Sequence, residues 1–220
     1  MAIQRSQPDF AVLEAKLLAD YAGIPAAIAG DCMNRQQIMA GRISPLAAGM
    51  AVAGQARTVT VPAGDNSAIH AAIALIKPGE VLVVDAGGYA DRAVWGAILH
   101  SIARRRGAAG VIIDGAVRDA AELRQMTPPI FASATSPAGP HKGWGGRIDG
   151  PVSCGGVVVR PGDLVLGDDD GVAVVPLEDA EAVLTASRQR LDDEARILER
   201  LEAGEDSTAI FPLPAMEDRG

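Results

Sequence analysis

Arg118 and Asp119 stand side by side at the end of an apolar run, Gly110-Val111-Ile112-Ile113-Asp114-Gly115-Ala116-Val117. A permanently charged, forked donor beside a hard carboxylate oxygen suits an anionic substrate held together with a divalent cation. Residues 111–114 have the unbroken apolar character of a strand buried on both faces, and a turn at Gly115 would deliver the pair to the strand's carboxyl end. Open α/β sheets bind their ligands at that end. The competing reading is a surface Arg–Asp pair, with Asp119 capping a helix that starts there. Spacing alone does not separate the two.

Further candidates lie at other strand ends: Gly64-Asp65-Asn66, Ala86-Gly87-Gly88, and the helix start at residues 95–99. Free backbone N–H groups at a helix start hold a carboxylate without any side chain. With Arg118 neutralising a developing oxyanion and Asp119 anchoring a metal, the set would have the layout of a metal-dependent enolate enzyme. Other chemistries lack their parts. The chain has no G-x-S-x-G elbow, no P-loop, no H-E-x-x-H and no G-x-G-x-x-G opening a helix. Its lysines are Lys16, on the polar side of the first helix, Lys77, in a Pro-Gly turn, and Lys142, so a buried Schiff-base lysine is not expected. His70 falls on a helix beside Ile69, facing a site, the core or an interface, and His100 reads as structural. His141-Lys142-Gly143-Trp144 lies in a loop that is either solvated or closes over an anionic ligand. Asp168-Asp169-Asp170 lacks the spaced ligands of a calcium loop and reads as a hairpin.

The elements that must position these residues follow from periodicity. Phe10, Leu13, Leu17, Leu18 and Tyr21 recur at helical spacing up to Gly23 and Pro25, and residues 24–40 form a second, weaker helical region. Residues 51–61 alternate as a half-buried strand does. A helix carrying Ile69 and Ile73 follows, capped by Asp65 or Asn66. Residues 81–85 are a fully buried strand, 86–88 a tight turn, and Asp91 or Arg92 starts a helix running to Gly107. This βαβ order implies parallel strands. After Pro128-Pro129 come a glycine- and proline-rich loop at 137–150 and short β runs at 156–159, 164–166 and 172–175, read as a second, antiparallel sheet. A last helix at about 177–203 carries Leu177, Leu184, Leu191 and Leu198 at seven-residue spacing, packing on its own sheet or between subunits. The division is 1–45 as N-terminal helices, 46–176 as the core and 177–220 as C-terminal helix and tail.

With 220 residues, 48% hydrophobic and 3% aromatic, the core must be built from Ala, Val, Ile and Leu, as in one α/β domain. The net charge of −8 argues against a nucleic-acid footprint. Arg104-Arg105-Arg106 sits at a helix end, where cations favour the dipole. Cys32 and Cys154 show no disulfide or zinc spacing and read as thiols in a reducing cytoplasm. No apolar run reaches membrane-spanning length and no signal segment opens the chain, so a soluble cytoplasmic protein is expected.

Taken in order, Gly64-Asp65-Asn66, Val84-Asp85-Ala86-Gly87-Gly88, Gly96 through Leu99, Gly110 to Asp119 and Val152-Ser153-Cys154-Gly155-Gly156-Val157 make a specific series. It continues through Pro161-Gly162-Asp163 and Gly167-Asp168-Asp169-Asp170-Gly171-Val172. Over residues 50–176 the chain resembles the RraA-like family, which includes metal-dependent 4-hydroxy-4-methyl-2-oxoglutarate and 4-carboxy-4-hydroxy-2-oxoadipate aldolases and inhibitors of an RNA-degrading endonuclease.

The resemblance implies a swivelling β/β/α domain: a central, mostly parallel sheet, a second sheet, flanking helices and a long C-terminal helix. It also implies a homo-oligomer, trimeric or hexameric, with sites near subunit boundaries. On the same ground Arg118 contacts substrate, Asp119 binds Mg²⁺ or Mn²⁺, and the backbone of Gly96, Ala97, Ile98 and Leu99 receives a pyruvyl carboxylate. The implied reaction is retro-aldol cleavage of a 4-hydroxy-2-oxo di- or tricarboxylic acid to pyruvate and a second keto acid, with oxaloacetate decarboxylation through the same enolate. The alternative is a non-catalytic regulator of ribonuclease E. One departure stands out. Many aldolases of the family carry an acid where this chain has Ala97, in an Asp-x20-Arg-Asp arrangement. Losing such a partner of metal-bound water weakens a metal site roughly 10- to 100-fold. Asp65, Asp85 and Asp114 are the nearby replacements, and each also reads as a capping or turn residue.

Overall fold

The computed structural model describes residues 1–217. The chain runs β1 (Ile3–Arg5), α1 (Ala15–Tyr21), α2 (Ala26–Cys32), β2 (Ser44–Pro45), β3 (Val52–Thr60), α3 (Ser67–Leu75), β4 (Glu80–Trp95), α4 (Ala97–Arg105), β5 (Gly110–Val117), α5 (Ala120–Leu123) and β6 (Ile130–Thr135). It continues through β7 (Gly146–Ile148), β8 (Val152–Cys154), β9 (Val157–Val159), β10 (Leu164–Asp168), β11 (Gly171–Val175), a 3-10 turn (Leu177–Asp179), α6 (Ala180–Glu202) and α7 (Ser207–Ile210).

Parallel strands β3, β4, β5 and β6 form the centre of a sheet ordered β1-β7-β3-β4-β5-β6-β2. The outer edge of β3 is shared, pairing antiparallel with β10 along Val52–Gln55 and with β7 at Val59 and Thr60. β10 and β11 make an antiparallel hairpin that belongs to this main sheet. The expected second sheet is therefore smaller than the sequence implied, since β8 and β9 alone build it. β1 is a strand within the segment expected to be helical, held parallel to β7.

Two departures follow from the sheet's needs. The chain stays extended from Glu80 to Trp95 instead of turning into a helix at Asp91 or Arg92. Gly87 and Gly88, both with φ near +67°, absorb an irregularity in the ladder, and Tyr89, Ala93 and Trp95 re-register on Gly115, Ala116 and Val117. Gly115 in turn continues β5 rather than breaking it. A Cβ there would lie 2.8 Å from that of Ala86, so close strand packing is what requires glycine. β3, read as half-buried, is buried on both faces. Its Arg57 is bidentate on Glu80 (2.7 and 3.1 Å) and reaches Asp149 at 2.6 Å, which lets a charge lie inside the fold.

The core has three parts. α3 and α4 cover one face of the sheet through Ile69, Ile73, Leu99 and Ala103 against Leu82, Val84, Val111 and Ile113. The small β8–β9 sheet covers the other through Val152, Cys154 and Val159 against Val81, Val83 and Ile112. α1, α2 and α6 close over β10 and β11 through Tyr21, Ile28, Val183 and Leu184. The heptad stripe divides accordingly: Leu184 is buried and Leu191 partly so, while Leu198 is 60% exposed. The last residues of the expected tail, 218–220, lie outside the described residues. Among the described residues no helix is long and apolar enough to cross a membrane.

Candidate active site

β4 and β5 end together at Trp95 and Val117, and each then turns sharply: β4 through Gly96 into α4, β5 through Arg118 and Asp119 into α5. The backbone N–H of Arg118 donates to the Trp95 carbonyl at 2.9 Å, locking the two turns together. Asp119 takes a left-handed backbone, φ 59° and ψ 35°, uncommon outside glycine although aspartate tolerates it better than most residues. That geometry carries its carboxylate away from its own helix. Asp119 precedes α5 without a side-chain cap, and Oδ2 instead accepts the Ala97 N–H of α4 at 3.0 Å. The capping alternative is thus half realised, at a different helix from the one that spacing implied.

Gly96 makes this possible by its size. Its φ of −168° is ordinary extended backbone, but a Cβ there would lie 2.6 Å from Asp119 Oδ2 and 3.0 Å from Arg118 Cγ. Gly139 plays the same part on the far side, where a Cβ would lie 2.8 Å from an Arg118 guanidinium nitrogen. Arg118 approaches Asp119 only to 3.8 Å, and among the described residues its side chain has no hydrogen-bond partner. Its donor fork is therefore available to a ligand.

These groups line a cavity of about 380 Å³ together with Asn66, His70, Trp95, Ile98, Leu99 and Lys142. Gly96, Ile98, Leu99, Arg118 and Asp119 thus meet in one place. Ala97 contributes through its backbone, with its N–H already committed to Asp119. Ile98 and Leu99 have no acceptor for their N–H groups among the described residues, so the first turn of the nine-residue α4 offers free donors and the positive end of its dipole.

Three supports complete the wall. Lys142 Nζ donates to Asn66 Oδ1 at 3.1 Å, and the Asn66 amide donates to the Val94 carbonyl at 3.2 Å. The loop bearing Lys142 is fixed rather than free: His141 N–H donates to the Gly64 carbonyl, Trp144 N–H to Asp65, and the two rings stack at 4.7 Å. Arg92 donates to the Gly139 carbonyl at 2.6 Å, fastening the loop's start to β4. Burial and the neighbouring Lys142 hold His70 below its ordinary pKa, so it stands neutral beside a cation near pH 7. Trp95, fully buried behind Gly96, donates through Nε1 to His100 Nδ1 at 3.4 Å. The lining carries two cations and one carboxylate, a balance that favours an anionic ligand although the whole chain is acidic.

Asp65, Asp85 and Asp114, the candidates to replace the acid absent at Ala97, do not line the cavity. Asp65 accepts from Ser67 and Trp144; burial opposes its charge, but these bonds prevail and hold its pKa below the usual value. Asp85 accepts from Gly87 and Ser153, and Asp114 from Arg42 and Gly155. Each is a turn or pairing residue. Asn66 and Trp95 fall within the strand-end turn and the helix start that the sequence marked; Gly139 was missed, because nothing in the order of residues places it against Arg118.

Mg²⁺ is typically held by one or two carboxylates, with water and substrate completing its shell. Asp119 fits that pattern: Oδ2 is engaged by Ala97, and Oδ1 has no partner among the described residues. Among those residues no group of three or more His, Cys, Asp or Glu side chains is gathered to hold an ion, which disfavours an all-protein cage.

Residues 18–174 match the RraA-like family model, described as Aldolase/RraA. A Halalkalibacterium halodurans protein provisionally named 4-hydroxy-4-methyl-2-oxoglutarate aldolase is 40% identical over 184 residues, covering 83% of this chain and 88% of that one. A Thermus thermophilus protein named 4-hydroxy-4-methyl-2-oxoglutarate aldolase is 38% identical over 124 residues, 56% of this chain and 75% of that one. Among solved structures, Streptomyces coelicolor RraAS2, described as an unusual member of the RNase ES inhibitor RraA family, superposes with a TM-score of 0.73 at 31% identity. That likeness covers 84% of this chain and 98% of the other. The chain belongs to the RraA-like family.

Proposed function

We propose that the protein is a divalent-metal-dependent lyase that cleaves a 4-hydroxy-2-oxo di- or tricarboxylic acid to pyruvate and a second keto acid. The observation carrying this reading is the convergence of Arg118, Asp119 and the free N–H groups of α4 on one cavity. The aldolase names of the similar proteins from H. halodurans and T. thermophilus support it.

In this reading the substrate's 2-oxo carboxylate lies on the amino-terminal turn of α4, where Ile98 and Leu99 donate. Lys142 and the Arg118 fork neutralise further carboxylate charge. The C4 hydroxyl loses its proton, the C3–C4 bond breaks, C4 becomes a carbonyl, and the electron pair passes to a pyruvate enolate that is then protonated at C3. Arg118 faces the developing oxyanion, the point at which a preorganised donor accelerates most. His70, neutral and within the cavity wall, is the side chain suited to take the hydroxyl proton. A Mg²⁺ or Mn²⁺ ion at Asp119 would act as Lewis acid on the 2-oxo group. Oxaloacetate, which passes through the same enolate on losing carbon dioxide, is a second expected substrate.

The test is pyruvate formation from 4-hydroxy-4-methyl-2-oxoglutarate and from oxaloacetate in the presence of Mg²⁺ or Mn²⁺. Turnover abolished by chelator and by Asp119→Ala supports the proposal; turnover indifferent to both overturns it. The likeness to RraAS2 favours a second reading, a regulator that binds a ribonuclease of the RNase E type. Retention of such an enzyme in a pull-down, with no keto acid turned over, would establish that reading instead.

A further inference from the structure

We infer that His100 is a positioning residue for the proposed reaction. It does not line the cavity, but it fixes Trp95, and through Trp95 the turns that carry Arg118 and the start of α4. The inference rests on the lyase reading, because what these turns would hold is the substrate. His100 is fully buried on α4, among the buried residues Ala97, Leu99 and Ala103. Those three are apolar, and a polar ring among them is costly unless it is hydrogen-bonded. Among the described residues the ring has one such bond: Nδ1 accepts from Trp95 Nε1 at 3.4 Å, with the ring planes at 85°, while Nε2 has no partner. Burial, aided by Arg104 and opposed by the Thr127 and Pro128 carbonyls, keeps the ring neutral near pH 7. A neutral imidazole that accepts at Nδ1 carries its proton on Nε2, so the bond to Trp95 selects the tautomer.

Trp95 is where that bond acts on the site. It is the last residue of β4, opposite Val117, its carbonyl accepts the Arg118 N–H at 2.9 Å, and it lines the cavity. His100 also closes the first turn of α4, its backbone N–H donating to the Gly96 carbonyl at 3.1 Å. One residue therefore ties the indole, the Gly96 turn and the N–H donors of Ile98 and Leu99 into a single unit. With Leu at position 100 the buried indole N–H would lose its acceptor and turn toward the polar cavity for another. The Arg118 turn, anchored on the Trp95 carbonyl, would shift with it, and small misplacements of this kind lower the rate of a positioned reaction.

The experiment is pyruvate formation from 4-hydroxy-4-methyl-2-oxoglutarate with Mg²⁺ by the full chain, comparing wild type, His100→Leu, His100→Asn, Trp95→Phe and the Trp95→Phe/His100→Leu double variant. The Trp95 Nε1–H resonance in a proton–nitrogen NMR spectrum is followed alongside. In His100→Leu the resonance should move and kcat should fall about tenfold or more, with KM changed less than about threefold. In His100→Asn, whose Oδ1 can accept the indole N–H, kcat should return to within about threefold of the wild type. Trp95→Phe has no N–H to hold, so adding His100→Leu to it should cost less than about twofold further. An unchanged kcat in His100→Leu, or the same loss from His100→Leu in both backgrounds, would overturn the inference. Should His100→Leu not fold, His100→Asn decides: kcat kept together with the resonance supports the inference, and kcat lost with the resonance in place overturns it. A wild type that forms no pyruvate overturns the lyase reading and this inference with it, whereas wild-type turnover indifferent to His100 overturns this inference alone.

Discussion

Asp119 shows how a single backbone conformation assembles the site. Its left-handed turn places one carboxylate oxygen on the first N–H of α4 and leaves the other toward the cavity, beside an arginine whose side chain has no hydrogen-bond partner among the described residues. Gly96 is the companion requirement. In Gly96→Ala the new methyl would lie 2.6 Å from Asp119 Oδ2 and displace it, so pyruvate formation should fall at least about tenfold while the thermal midpoint stays within a few degrees. Wild-type turnover in that variant would contradict the geometry. His100 gives a prediction of another kind. It is fully buried, and burial, aided by Arg104, lowers its pKa from the ordinary 6.5. The unfolded chain therefore binds a proton at His100 that the folded chain resists, and stability should decline as pH falls below about 6.5 toward the folded value. His100→Gln retains an acceptor for Trp95 but does not titrate, so its urea midpoint should lose less between pH 7 and 5 than that of the wild type. Arg118 and Asp119 were legible in the sequence because charged residues end an apolar strand. The hydrogen bond to Ala97 was not, because it depends on a φ angle that residue order leaves open.

At the scale of elements, the adjacent central strands β4 and β5 do the positioning, and here the sequence reading was least complete. Gly87-Gly88 has the composition of a turn, yet β5 continues beyond the expected break and offers Gly115, Ala116 and Val117 as partners, so β4 returns to the ladder after its bulge. The gain from burying Ala93, Val94 and Trp95 outweighs the local signal. α4 therefore starts later than periodicity implied, with its first turn in the cavity wall. Arg57 ties these elements to the chain beyond β7, through Glu80 at the start of β4 and Asp149. Replacing Arg57 by Met should cost about 3–5 kcal/mol in urea denaturation, because two buried carboxylates lose their shared cation. A loss below about 1 kcal/mol would show that Arg5 and the backbone suffice.

At the scale of the whole molecule, the α/β class, the parallel centre and the long last helix were legible from alternating buried strands and helices. The placement of β10 and β11 in the main sheet was not, since pairing with β3 is decided by register between segments about a hundred residues apart. The C-terminal helix leaves its own core before it ends: Leu198 and Leu201 remain 60% and 38% exposed, followed by exposed Leu213 and Met216. The family resemblance implies a trimer or hexamer, in which these exposed side chains would find a partner surface. Light scattering in solution should give a mass of three or six chains, and a monomer at micromolar concentration would contradict that expectation.

The central claim is that Arg118, aimed into the cavity beside Asp119 and the start of α4, stabilises the charge that develops when pyruvate is released. The direct measurement is kcat for pyruvate formation from 4-hydroxy-4-methyl-2-oxoglutarate with Mg²⁺, wild type against Arg118→Ala. A fall of about 10²–10³-fold in a variant that folds normally is the predicted result. An unchanged kcat in that variant, or no pyruvate from the wild type, would contradict it.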